Sequence, residues 1–101
     1  MNILEQNSAK DPEEFYASLS EKLTETHDFP EDYVYKFIIP SSEQKLTEIY
    51  RVFDGIKTSF SNKESKNGKY TSITVSAFVL DANQVITIYK EVGKIEGVIM
   101  L

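Results

Sequence analysis

With 101 residues, 41% of them hydrophobic, the chain is the size of one domain and can hold a core without covalent staples. A formal net charge of −5 argues against binding nucleic acid through phosphate neutralisation, and the lack of cysteine excludes disulfide frameworks and thiolate metal sites. No run approaches the ~18 apolar residues of a membrane span, and Met1-Asn2-Ile3-Leu4-Glu5-Gln6 lacks the basic-then-apolar order of a signal peptide, so a soluble cytoplasmic protein is expected.

Residues 1–10 are polar apart from Ile3 and Leu4 and are expected to fray. Asp11-Pro12-Glu13-Glu14 reads as a helix start, with Asp11 as cap, Pro12 in the first turn and Glu14 closing a capping box. Phe15, Leu19 and Leu23 recur every fourth residue, a narrow apolar stripe on a charged helix that ends before His27-Asp28-Phe29-Pro30. Tyr33 to Ile39 is a strand with Tyr35, Phe37 and Ile39 on one face and Val34, Lys36 and Ile38 on the other; Pro40 ends it. Ser41 with Gln44 forms the next capping box, and Leu46, Ile49, Tyr50 and Phe53 line one helical face up to Gly55.

Asn67-Gly68 is a strong hairpin signal, consistent with a two-residue loop in which both residues take positive φ. Its strands are about Thr58 to Glu64 and the long run from Tyr70 onward. In the latter, Thr71, Ile73, Val75, Ala77 and Val79 make an apolar face, opposite Tyr70, Ser72, Thr74, Ser76 and Phe78. Asp81 to Gln84 opens a last helix with Val85, Ile88, Tyr89 and Val92 on one face and Gly93 at its end; Ile95 to Leu101 reads as a terminal strand.

After the N-terminal helix the order is strand, helix, strand, strand, helix, strand. This is the α+β, ferredoxin-like βαββαβ sandwich, with an antiparallel sheet in the order 4-1-3-2 and two helices on one face. The expected division is an N-terminal extension, residues 1–28, and a domain, residues 29–101. Val98 to Leu101 is apolar on both faces, and Val34 and Ile38 point to the helix-free side, so half of that side needs a cover. The Phe15/Leu19/Leu23 stripe is the candidate, which places the N-terminal helix on the outer sheet face or its edge.

No catalytic constellation emerges. His27 is the lone histidine and reads as a solvated loop residue without the partner acid–base work requires. Glu13, Glu14, Glu21 and Glu25 read as a solvated helix face, no spacing suggests a metal, and the glycines form no phosphate loop. The serines have no activating base nearby. No catalytic residue, metal or cofactor is therefore expected, and the chain reads as a non-enzyme.

The run Ser65-Lys66-Asn67-Gly68-Lys69-Tyr70-Thr71-Ser72, followed by the alternating strand, resembles the signature of the YbeD-like family, small bacterial proteins of unknown function. Phe29-Pro30, Tyr35-Lys36, Tyr89 and Gly93-Lys94-Ile95 agree with it, so the resemblance covers about Phe29 to Leu101. It implies a fold similar to ACT domains, which bind amino acids and regulate enzymes. ACT domains usually have a glycine in the loop after the first strand, where this chain has Pro40-Ser41-Ser42. Two roles follow as expectations. The first is a non-catalytic regulatory or interaction domain with a protein partner or a second copy on its open face or edge. The second is an ACT-like sensor of an amino acid or anionic metabolite. For either, Lys66, Tyr70 and Ser72 are the candidate ligand or partner patch, and Asn67 and Gly68 are accounted for by the turn alone.

Overall fold

The computed structural model describes residues 12–101. The expected fraying of residues 1–10 and the Asp11 cap lie outside the described residues. The elements are α1 (Pro12–Thr26), β1 (Glu31–Pro40), α2 (Glu43–Val52), β2 (Thr58–Glu64), β3 (Tyr70–Val79), α3 (Ala82–Gly93) and β4 (Ile99–Met100). The sheet order β2-β3-β1-β4 is the expected 4-1-3-2 order read from the other edge, and all pairings are antiparallel. The fold is the ferredoxin-like sandwich with an added N-terminal helix.

Alternation along β1 and β3 divides the sheet as the sequence indicates. Tyr35, Phe37 and Ile39 on β1 are buried with Ile73, Val75, Ala77 and Val79 on β3. Ile49 and Phe53 come down from the α2 side; Val85, Ile88, Tyr89 and Val92 come down from α3. Asp81 caps α3, its carboxylate accepting from the Gln84 amide at 2.8 Å.

An aromatic cluster centres this core. The Tyr35 ring lies 5.0 Å from Tyr89, 4.8 Å from Tyr33 and 5.5 Å from Phe53, in edge-to-face arrangements. Its hydroxyl donates to the Val85 carbonyl at 3.1 Å, and the Tyr33 and Tyr89 hydroxyls share a bond of 3.1 Å. Burial raises the Tyr35 hydroxyl pKa well above its ordinary 10.0, and the neighbouring Tyr89 and Tyr33 add to the shift. Tyr89 is raised as well, first by burial and then by its bond to Tyr33.

Four local readings are corrected. The hairpin loop is longer than two residues: Gly68 alone has positive φ, at 70°, and Asn67 does not. The Gly68 amide donates to the Ser65 carbonyl, the Asn67 carboxamide accepts from the Lys69 amide, and the Ser65 hydroxyl accepts from the Tyr70 amide. Those side-chain bonds stabilise a turn over Ser65 to Gly68 in place of the tighter loop. The α2 cap is Ser42, whose hydroxyl accepts from the Lys45 amide; Ser41 instead pairs with the Thr71 hydroxyl at 2.8 Å. The terminal strand holds only two residues in the ladder. Ile95 turns back into the core, and Gly97 adopts φ 82°, where a side chain would strain the backbone and its Cβ, 3.0 Å from the Pro40 ring, would press on the proline. Finally, His27 is not solitary: its Nδ1 lies 2.5 Å from the Glu31 carboxylate, and its ring lies against Phe29 and Tyr33.

The largest departure concerns α1. It does not lie on the outer sheet face but packs beside α3 in the helical layer. Phe15 and Leu23 are buried, and Leu23 joins the main core. The reason lies on α3, where Ile86 is buried although it is off the row that faces the sheet. Ile86 lines a crevice with Tyr16, and the Lys90 ammonium lies over the Tyr16 ring at 4.6 Å. A second apolar surface on α3 thus receives the α1 stripe. Leu23→Ala is expected to cost about 2–3 kcal/mol, toward the low end for a buried leucine because Leu23 sits at the margin of the core. Urea unfolding checks this: a midpoint equal to that of the unsubstituted chain would contradict the packing.

Candidate functional site

With α1 on the helical side, nothing in the described chain covers the outer face of the sheet. The register places its side chains in rows. Ile99 of β4, Ile38 of β1, Ser72 of β3 and Lys63 of β2 form one. Lys36, Thr74 and Ser61 form the next, then Val34, Ser76 and Ser59. Asp32 stands opposite Phe78 at one end and Pro40 opposite Tyr70 at the other. The β1–β4 half is apolar, with Val34 54% and Ile99 43% exposed and Ile38 half-buried. The β2–β3 half is mostly hydroxylic, with aromatic rings at the two ends of β3. Leu101 extends the apolar half, its amide donating to the Lys36 carbonyl at 2.9 Å and its side chain exposed.

Two of the three expected patch residues meet on this face. Tyr70 and Ser72, two positions apart on β3, line a shallow depression of about 210 Å³ with Ile38, Lys63, Glu64 and Ser65. The Ser72 hydroxyl donates to the Lys63 carbonyl at 3.3 Å, and Tyr70 is half-exposed. Lys66 does not line the depression. It lies in the turn, fully on the solvent side, and Lys63 takes the place beside Tyr70 and Ser72 that the sequence reading gave to it. A loop centred on Asn67-Gly68 already pairs Lys63 with Ser72, and the observed register is that one. Lys63 was readable as one of the lysines around the hairpin, and Lys66 was preferred to it only for its closeness to Tyr70 along the chain.

A second depression, about 320 Å³, opens where β1 passes into α2, between Ile39, Ser41, Ser42, Leu46, Asn62 and Thr71. Glu43 and Glu64 line it too, so their carboxylates oppose an anionic occupant at the start of α2, which would otherwise attract it. The Ser41 and Thr71 hydroxyls are bonded to each other.

Elsewhere, chemistry is sparse. Among the described residues no group of three or more His, Cys, Asp or Glu side chains is placed to hold a metal ion. The exposed Glu14, Glu21 and Glu25 of α1 project on the helical side, away from the sheet. Among the described residues no helix is long and apolar enough to cross a membrane. His27 is occupied in tying the end of α1 to the start of β1.

A family model described as "Protein of unknown function (DUF493)" matches residues 24–101. The ACT domain from GTP pyrophosphokinase of Chlorobium tepidum is similar in structure, with a TM-score of 0.49 and 14% sequence identity over 67% of this chain and 92% of that one. No curated protein matches the chain.

Proposed function

Since the chain belongs to the DUF493 family, whose description assigns no activity, we propose that it is a non-catalytic interaction domain that seats a partner protein on the outer face of its sheet. One observation carries this reading: among the described residues nothing covers the apolar half of that face, Val34, Ile38, Ile99 and Leu101, because α1 has gone to the other side. A sheet is stable with both faces served, either by water against polar side chains or by a packed layer against apolar ones. Here one half suits water and the other suits a layer. Apolar side chains exposed together on one half of a sheet, here with Lys36 among them, suit an interaction surface.

The sensor reading would put its ligand in the depression beside Ser41 and Ser42, whose lining carboxylates stand against anionic metabolites. It has no comparable geometric support. Lys66, Tyr70 and Ser72 remain in the proposal as the margin of the face at the hairpin end, with Lys63 beside them.

The experiment is photo-cross-linking in living cells, with benzoylphenylalanine placed at Val34 or, as control, at Glu21 on the exposed side of α1. The Val34 position is expected to give a protein adduct of defined mass that the Glu21 position does not. Ile38→Asp, a change expected to cost about 1–3 kcal/mol at this half-buried site on a central strand, should abolish the adduct in protein that circular dichroism shows to be folded. No adduct at Val34, or equal adducts at both positions, would sink the reading.

A further inference from the structure

Resting on that reading, we infer that the segment seated on the outer face belongs to an acidic, amphipathic stretch of a partner protein. The sheet divides the charge of this chain. Its outer face carries Lys36, Lys57 and Lys63 against Asp32 and, at the margin of the hairpin-end depression, Glu64, an excess of lysine on a chain that as a whole is negative by five charges. The glutamates of α1 and α2 stand on the helical side. Among the described residues no salt bridge engages any of the three lysines.

The arrangement gives each group a task. Lys36 lies between Val34 and Ile38 on β1, so a chain laid along the apolar strip passes directly over an ammonium. Lys63 ends the row of Ile99, Ile38 and Ser72. Carboxylates beside the apolar residues of the partner meet both lysines, and the intervening hydroxyls of Ser72 and Thr74 accept or donate as needed. The apolar strip supplies affinity; the lysines supply approach rate and rejection of basic segments. Nucleic acid is the competing polyanion, and the face suits it poorly. Tyr70 and Phe78 stand at opposite ends of β3, eight residues or about 26 Å apart. Aliphatic and hydroxyl groups fill the space between, where base stacking would need rings.

The test is fluorescence anisotropy with the full chain and three labelled probes. One is a helical peptide of about 16 residues with leucines on one face and glutamates on the other. The second is its twin with lysine for every glutamate, and the third is an oligouridylate. The glutamate peptide is expected to bind about tenfold tighter than its twin. Its affinity should fall as salt rises from about 0.05 to 0.5 M. It should fall about tenfold in Lys36→Glu/Lys63→Glu, with the thermal midpoint of that variant unchanged. Equal or tighter binding of the lysine twin, tighter binding of the oligouridylate, or binding of no peptide overturns the inference. An adduct at Val34 alongside any of those results leaves the interaction face standing without its acidic partner; loss of the adduct removes both.

Discussion

Tyr35→Ala is expected to destabilise the protein by about 3–5 kcal/mol, the usual cost of removing a buried aromatic ring. For a domain of this size that lowers the thermal midpoint by roughly 15 °C or more. The ring is fully buried and contacts rings from β1, α3 and the residue that caps the end of α2, Phe53, so its loss opens a cavity that no single neighbour can fill. Tyr35→Phe separates ring from hydroxyl. It keeps the packing, removes only the bond to the Val85 carbonyl, and should cost about 0.5–1.5 kcal/mol. Calorimetry of the two variants checks both values. A Tyr35→Ala midpoint within a few degrees of the unsubstituted chain would show that the aromatic cluster is not the centre of the core.

The second expected result concerns alkaline pH. Tyr35 and Tyr89 are both raised above the ordinary 10.0 in the folded state, chiefly because the phenolate would be stripped of water. In the unfolded chain each ionises near its ordinary value. The folded state therefore holds more protons than the unfolded state once the pH passes about 10, and stability must fall as pH rises from there. Below that window these two groups leave stability unchanged. Two protons at about 1.36 kcal/mol per pH unit each give a slope of about 2.7 kcal/mol per unit. Tyr35→Phe or Tyr89→Phe should each halve that slope, a comparison in which other titrating groups cancel. Urea unfolding at a series of pH values measures it, and tyrosinate absorbance should show both rings ionising only with unfolding. Ionisation of all six tyrosines in the folded protein would contradict the burial.

Both predictions depend on residues whose place was readable in advance. Period-two alternation puts Tyr35, Phe37 and Ile39 on one face and Val34, Lys36 and Ile38 on the other, whatever the strand pairs with. The same holds for β3, and for the helical rows of Leu46 to Phe53 and Val85 to Val92. The element order then left one compact topology, and the sheet has it. The candidate site was legible in part. Val34 and Ile38 were visible as apolar residues facing away from the helices, and Tyr70 and Ser72 as neighbours on one strand face. Lys63 was legible too, since a hairpin centred on Asn67-Gly68 pairs it with Ser72 as the sheet does; only the conformation of the Ser65–Lys69 turn, set by its side-chain hydrogen bonds, was not.

Alternation and helical periodicity are properties of neighbouring residues along the chain, so the sequence by itself determined which face each side chain takes and, with element order, the ferredoxin-like sandwich. What covers a face is a competition between surfaces far apart in the chain. The Phe15/Leu19/Leu23 stripe could serve the outer sheet or a helix equally well by its spacing. The tertiary structure decided for α3, because Ile86 offers that stripe a second apolar surface in the helical layer, with Tyr16 of α1 beside it. The same competition shortened β4, where Ile95 gains more by burial in the core than by joining the ladder. Both outcomes leave the outer face of Val34, Ile38 and Ile99, the surface on which the proposed role rests, without a cover among the described residues.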